Sequence, residues 1–405
     1  MIETGSPVSS SVKTSAKTKV LVDAGNRVSR ISRDVFGVNH RFPFNGYGMW
    51  DSAHHQPHPE FLTAFQHGGF TSVRFPGGRV ANTYHWKRAI GPLKERTPNA
   101  SGGGQGQPLS SDFGPDEFGE LLDRTGASGS IVVNFATGDS QEAANWVEYM
   151  NAPLGTNPNG KTAWAEVRAA NGHSEPYSIR YWEVGNEMNS DKVYWMGDKT
   201  PTAELAKKYA FGGSTAFDGN IVSSYADRGR PGAISDGSPN QVFFFQYPPV
   251  QPGTQKLIVD GRAWSPVPDL TSKGKKNVYE FDPDSGRIEF GDGRHGNIPA
   301  RGSLIRSSYV SGPHDGFIDF YAAMKDVDPS ILVGTAVHTS EFLHEMGPEN
   351  PYDFVVLHSY GHIYEPIDTL TKIHDYTMQL PRDQGEELEQ LKREIASAAG
   401  AERAR

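Results

Sequence analysis

Six short runs of β-branched and aromatic residues alternate with stretches of helical spacing along this chain, and that alternation constrains the fold more than any other feature. Strand–helix repeats of this kind give parallel strands joined by right-handed crossovers. The strands read as Asp34–His40 (DVFGVNH), Ser72–Gly78 (SVRFPGG), Ser130–Phe135 (SIVVNF), Tyr181–Glu187 (YWEVGNE), Ile331–Val337 and Asp353–Tyr360 (DFVVLHSY). The helices read as Pro59–His67 before Gly68-Gly69, Asp116–Arg124, Ser140–Met150 capped by Ser140, Ala203–Phe211, Gly316–Val327 and Glu386–Ala399. Open doubly wound sheets share this pattern. Polar residues close several different strands, however: Asn39-His40, Arg74, Asn186-Glu187, and His358 with Tyr360. Strand tips of that kind are where α/β barrels keep their active sites. The expected fold class is α/β, a (β/α)8 TIM barrel with about six βα units present and a β-rich insertion.

The insertion falls where the alternation breaks. From Phe217 to Gly312 the chain turns to short strands and turns, with Asp284-Ser285-Gly286 as a hairpin signal. Asp-rich turns there lack the spacing and closing Glu of an EF-hand, so ordinary turn chemistry is the reading. Residues 1–17 are Ser- and Thr-rich and read as disordered, Lys19–Val28 as a short strand, and Ser101–Gln107 as a flexible loop. The expected division is a tail and β element at 1–30, barrel at 31–216, insert at 217–312 and barrel again at 313–405.

Composition removes several function classes. The net charge is -9 with no basic block, which argues against nucleic acid as a partner. No window approaches the roughly 18 apolar residues of a membrane span. With no cysteine there is no disulfide framework and no thiolate metal site. The N-terminus lacks the apolar core of a signal peptide, which leaves cytoplasmic and secreted locations both open. The histidines His54, His55 and His58 read as a solvated loop in preference to a metal site.

The chemistry centres on Arg180–Glu187, RYWEVGNE. A buried strand ends there in a glycine, an amide and a carboxylate. Glu187 is the candidate general acid/base and Asn186 the candidate for fixing a substrate hydroxyl; the alternative is that Glu187 caps the next helix. Retaining glycoside hydrolysis needs two carboxyl groups roughly 5 Å apart. No second carboxylate sits at a comparable strand tip: Asp139 reads as a helix-cap charge and Glu365 as a loop residue. Trp146 and Trp182 read as barrel core, Trp50 and Trp195 as sugar-stacking platforms. Asp51 reads as a substrate contact or a turn cap.

Five stretches, in order, resemble the α-L-arabinofuranosidases of glycoside hydrolase family fifty-one, in clan A: RFPGGRVANTYHWKRAIGP (Arg74–Pro92), NFATGDSQEAANWVEYMN (Asn134–Asn151), YWEVGNEMNS (Tyr181–Ser190), DPSILVGT (Asp328–Thr335) and DFVVLHSYGH (Asp353–His362). The resemblance implies a TIM barrel with Glu187 as acid/base, Asn186 on the hydroxyl beside the reacting carbon, Arg74 supporting the nucleophile, and His358 and Tyr360 lining the sugar subsite. It also implies a nucleophilic Glu at the end of a seventh strand. The chain reads as ending before that strand, so little activity is expected of it alone. Two positions depart from the family pattern: Arg79 where Asn is usual and Asn39 where Glu is usual, both family positions being sugar contacts. An arginine fork suits a carboxylate, so a uronic acid or another pentose or hexose stands beside arabinose as substrate. No cofactor is implied, since two carboxylates suffice. The alternative function is a non-catalytic carbohydrate-binding or assembly protein on a glycosidase scaffold. Within the insert, Tyr279–Gly312 is similar to a repeated β motif of phage baseplate-type tail proteins.

Overall fold

A computed structural model describes residue 25 and residues 32–100, 108–189, 194–197, 200–224, 233–271, 273–360 and 369–404. The expectations for residues 1–17, for Lys19–Val28 apart from Gly25, for Ser101–Gln107 and for Glu365 lie outside the described residues.

In chain order the first region gives β1 (Gly37–Asn39), the turn α1 (Pro43–Gly48), β2 (Trp50–Asp51), β3 (Gln56–Pro57), α2 (Pro59–His67), β4 (Ser72–Phe75) and α3 (Pro115–Thr125). It continues through β5 (Ser128–Val133), α4 (Ser140–Asn151), α5 (Trp164–Ala170), β6 (Tyr181–Val184) and α6 (Thr202–Phe211). A run of strands follows: β7 (Gly213–Ile221), β8 (Val242–Phe244), β9 (Lys256–Val259), β10 (Arg262–Val267), β11 (Val278–Asp282), β12 (Arg287–Phe290) and β13 (Ile305–His314). The chain then returns to helix–strand alternation with α7 (Phe317–Val327), β14 (Leu332–Thr335), α8 (Ser340–Met346), β15 (Phe354–Val355) and α9 (Leu370–Ala399).

Six strands form one parallel sheet in the order β1-β4-β5-β6-β14-β15. Period-two alternation sorts their side chains. On β4, Val73 and Phe75 are buried, and Phe75 stacks on Phe118 of α3. On β6, Trp182 and Val184 are buried, and Trp182 meets Trp146 of α4 edge to face. Both tryptophans are core, as their sequence context implies. Arg74, Ser130 and Glu183 project together from the other face of β4, β5 and β6. Helix packing therefore claims one residue of each pair and leaves its neighbour for the sheet's inner face.

Several boundaries differ from expectation. The strands stop short of their polar tips: β6 ends at Val184 and β4 at Phe75, and Gly185 and Gly77 just beyond them take φ values of 80° and 60° that leave the ladder. The cap of α4 is Asp139 and not Ser140, with its carboxylate accepting from Glu142 N at 2.6 Å. Helix α9 begins at Leu370, well before Glu386, and runs through Pro381. Helices α5 and α8 were not expected.

The second sheet has seven strands in the order β7-β13-β9-β10-β11-β12-β8. The Asp284-Ser285-Gly286 turn joins the antiparallel pair β11 and β12 as expected. Phe243, Tyr279, Ile288, Phe290 and Tyr309 form a core of its own, and Tyr247 packs on both this core and the larger one. The chain enters this unit at Gly212 and leaves it at Gly316. A Cβ on Gly212 would lie 2.2 Å from His314 O, and one on Gly316 would lie 2.1 Å from Gly212 N, so only glycines permit the two strands to pass there.

Candidate active site

The site is built at the C-terminal tips of the parallel strands. Glu187 follows β6 and His358 follows β15. His358 Nδ1 lies 2.8 Å from Glu187 Oε1, and both side chains are only partly exposed, 23% and 34%. The φ of 50° at Glu187 is a left-handed conformation that costs a non-glycine residue on the order of 1–3 kcal/mol.

Asn186 is held from behind. Its backbone N–H donates to Asn82 Oδ1 at 2.7 Å, and its carbonyl accepts from Asn82 Nδ2 at 2.8 Å. Arg74 Nη2 reaches Asn186 Oδ1 at 3.1 Å and its Nη1 reaches Asn39 Oδ1 at 3.0 Å. The same guanidinium is gripped by Glu183: Nε lies 2.9 Å from each carboxylate oxygen and Nη2 lies 2.6 Å from Oε2. Ser130 Oγ adds a donor to Glu183 Oε1 at 3.3 Å. The pair is an inner-face ion pair with Glu183 buried. Four of the expected residues, Asn39, Arg74, Asn186 and Glu187, thus occupy one network or its immediate chain neighbour.

His40, next to Asn39, is buried between Phe75 and Phe113, and burial lowers its pKa to about 4. Gly77 is required there. A Cβ on it would lie 2.3 Å from Asn39 Oδ1 and 2.5 Å from His40 O. Arg79 sits half-buried just after this glycine pair. Tyr360 is well exposed, with its ring 6.3 Å from that of His358.

The tryptophan platforms are corrected. Trp50 is 1% exposed and packs edge to face on Phe113, so it offers no face to a sugar. It lines a cavity of about 340 Å³ with Arg96, Asp116 and Glu117 among its other walls, and Glu187 is not one of them. Trp195 is equally buried and stacks on His314 at 4.4 Å. Both follow strand tips, but the apolar surface beneath those loops takes them in. Asp51 caps a turn, accepting from the N–H groups of Ala53 and His54. The exposed aromatic rings on the loop after β1 are Phe44 and Tyr47 instead, in the left-handed turn α1, where Arg41 reaches Tyr47 Oη at 3.0 Å.

Sequence reasoning missed Glu183, Asn82 and Ser130. A signal for Glu183 was present: it is a charge inside a strand whose alternate residues, Trp182 and Val184, are apolar. Asn82 carried none, since it lies in a turn far along the chain.

Residues 65–209 match the family model described as the alpha-L-arabinofuranosidase 1 domain. The chain is α-L-arabinofuranosidase-like. Over 196 residues it is 32% identical to the "Probable alpha-L-arabinofuranosidase C" of Aspergillus clavatus, covering 47% of this chain and 37% of that protein. Over 192 residues it is 26% identical to the "Intracellular exo-alpha-(1->5)-L-arabinofuranosidase" of Halalkalibacterium halodurans, covering 45% of this chain and 36% of that one. The chain thus spans little more than a third of the length of these arabinofuranosidases. Its fold is similar to that of the thermostable family 51 α-L-arabinofuranosidase of Thermotoga petrophila, at a TM-score of 0.53 and 18% identity, over 92% of this chain and 53% of that one. That likeness is one of fold, a TIM-barrel domain whose curled sheet corresponds to the α/β architecture expected from the sequence. Among the described residues no helix is long and apolar enough to cross a membrane.

Proposed function

We propose that this chain carries the acid/base side of a retaining glycosidase site for arabinose-containing saccharides. The observation that carries the reading is the Glu187–His358 contact at the strand tips, with Glu187 in a left-handed conformation. In this reading Glu187 protonates the departing glycosidic oxygen and later deprotonates the attacking water. Asn186 holds the hydroxyl beside the reacting carbon. His358 orients the Glu187 carboxylate, Tyr360 and Arg79 border the sugar, and Asn39 contacts a further hydroxyl. The mechanism needs a second, nucleophilic carboxylate. That role is not assigned to Glu183, which is buried in its ion pair with Arg74. The tail, the two barrel parts and the β-rich unit between them are the division of the chain that goes with this proposal.

The test is binding of L-arabinose and of arabinofuranosyl oligosaccharides by the chain, read by calorimetry and by NMR shifts of the His358 ring. Binding that perturbs His358 and is lost in Asn186→Ala supports the reading. Binding of a uronic acid in preference to arabinose overturns the sugar assignment. Saccharide binding that leaves His358 unperturbed and is indifferent to Glu187→Gln and Asn186→Ala overturns the site and favours a carbohydrate-binding role elsewhere on the fold.

A further inference from the structure

Arg74 has no acceptor atom, so every group that touches its guanidinium must present an oxygen. Three side chains do so. Glu183 takes Nε and one edge of Nη2, the other edge of Nη2 goes to Asn186 Oδ1, and one N–H of Nη1 goes to Asn39 Oδ1. Each amide therefore has its carbonyl turned to the arginine and its NH₂ turned away. Without the Glu183 grip, the Arg74 side chain has several rotamers to choose from, and neither amide has a fixed polarity. The backbone clamp by Asn82 fixes where Asn186 stands but leaves its side-chain amide free to flip.

We infer that Glu183 is a positioning residue which, through Arg74, sets Asn39 and Asn186 to offer N–H donors to the sugar. This rests on the functional reading above and deepens it: the ligand must bring oxygen lone pairs to both amides. Hydroxyl-bearing sugars fit, and an amino sugar carrying an ammonium group at either contact is rejected. Glu183 itself touches no substrate. Its influence passes through the ion pair, whose charge-assisted bonds are the strong, directional kind.

The experiment has two arms. In the first, ¹⁵N-resolved NMR of the free chain follows the Arg74 Nε–H and the side-chain amides of Asn39 and Asn186, assigned with Arg74→Lys, Asn39→Ala and Asn186→Ala. The wild type is expected to show a slowly exchanging Arg74 Nε–H and two sharp amide pairs. In Glu183→Gln the Nε–H exchanges faster and both amide pairs move. Glu183→Asp, which keeps the charge but withdraws it by one methylene, gives intermediate shifts and serves alone if Glu183→Gln does not fold. Unmoved Asn39 and Asn186 amides in these variants overturn the inference. In the second arm, L-arabinose affinity is expected to fall about tenfold in Glu183→Gln. The loss in Glu183→Gln/Arg74→Gln should be no larger than in Arg74→Gln alone, since the two act as one unit. Additive losses overturn it. A wild-type chain that binds no arabinose overturns the functional reading while the first arm still decides the role of Glu183.

Discussion

Nδ1 of His358 stands 2.8 Å from Oε1 of Glu187, tying the tip of β15 to the tip of β6 across the intervening strand β14. A proton donor held this way should act on the leaving group. In a protein carrying this chain, Glu187→Ala is expected to slow cleavage of arabinofuranosides with poor leaving groups by about 10²–10⁴-fold. Aryl substrates whose phenolate departs without a proton should lose far less. His358→Ala should cost about tenfold through lost orientation. Steady-state kinetics over a leaving-group series checks this, and an equal loss for all aglycones contradicts the acid role.

Arg96 and Glu117 form an ion pair with side chains 6% and 2% exposed, at 2.8 Å. Arg96 also donates to the carbonyls of Gly91, Ser111 and Asp112. Removing one partner strands a buried charge, so Glu117→Ala should destabilise by about 3–5 kcal/mol. Replacing both with apolar residues of similar volume should cost less. Urea denaturation of the single and double variants measures the difference.

Two buried groups tilt stability with pH in opposite directions. Burial raises the Asp116 pKa from 3.8 to about 6, against the Tyr149 hydroxyl bonded to it at 2.6 Å. Between these values the folded state keeps a proton that the unfolded state has released, so its contribution is present below about pH 4 and is lost as pH rises to 6. The loss is at most about 3 kcal/mol. Asp116→Asn should remove that decline and be the more stable protein at pH 7. His40 behaves the other way. It stays neutral in the fold while the unfolded chain protonates, so stability falls as pH drops from 6.5 towards 4. His40→Leu should remove that acid-side loss. Denaturation midpoints at pH 4, 5, 6 and 7 check both slopes.

Gly77 supports the tip of β1 by being absent as a side chain. Gly77→Ala places a methyl group on Asn39 Oδ1 and His40 O at a φ of 60°, and should cost about 2–4 kcal/mol while displacing Asn39. Thermal unfolding reads the first effect and weakened arabinose binding the second.

The parallel sheet was legible because its outer-face residues, such as Val73, Phe75, Trp182 and Val184, obey strand periodicity. Helix α2 was legible to its ends because Pro59 opens it and a glycine pair closes it. Tips were harder. Glu187 was visible as a strand-end carboxylate, but its left-handed backbone and its His358 partner depend on strands far apart in the chain. Trp50 was misread because sequence shows that a loop follows a strand without showing that the loop folds inward over Phe113. Helix α9 was legible only from Glu386, where Glu, Lys, Leu and Ala dominate; the helix runs on N-terminally through Pro381 to Leu370. Glu183 escaped notice because its neighbours look like core, and only the register against Ser130 and Arg74 gives it company.

Gly212 and Gly316 bring the two ends of the β-rich unit to a single doorway on the helical layer. A unit with its own core that departs and returns through one such doorway leans on its neighbour at few further points, chiefly Tyr247 between the two cores and His314 against Trp195, so the narrow sill fixes where its strands start and stop.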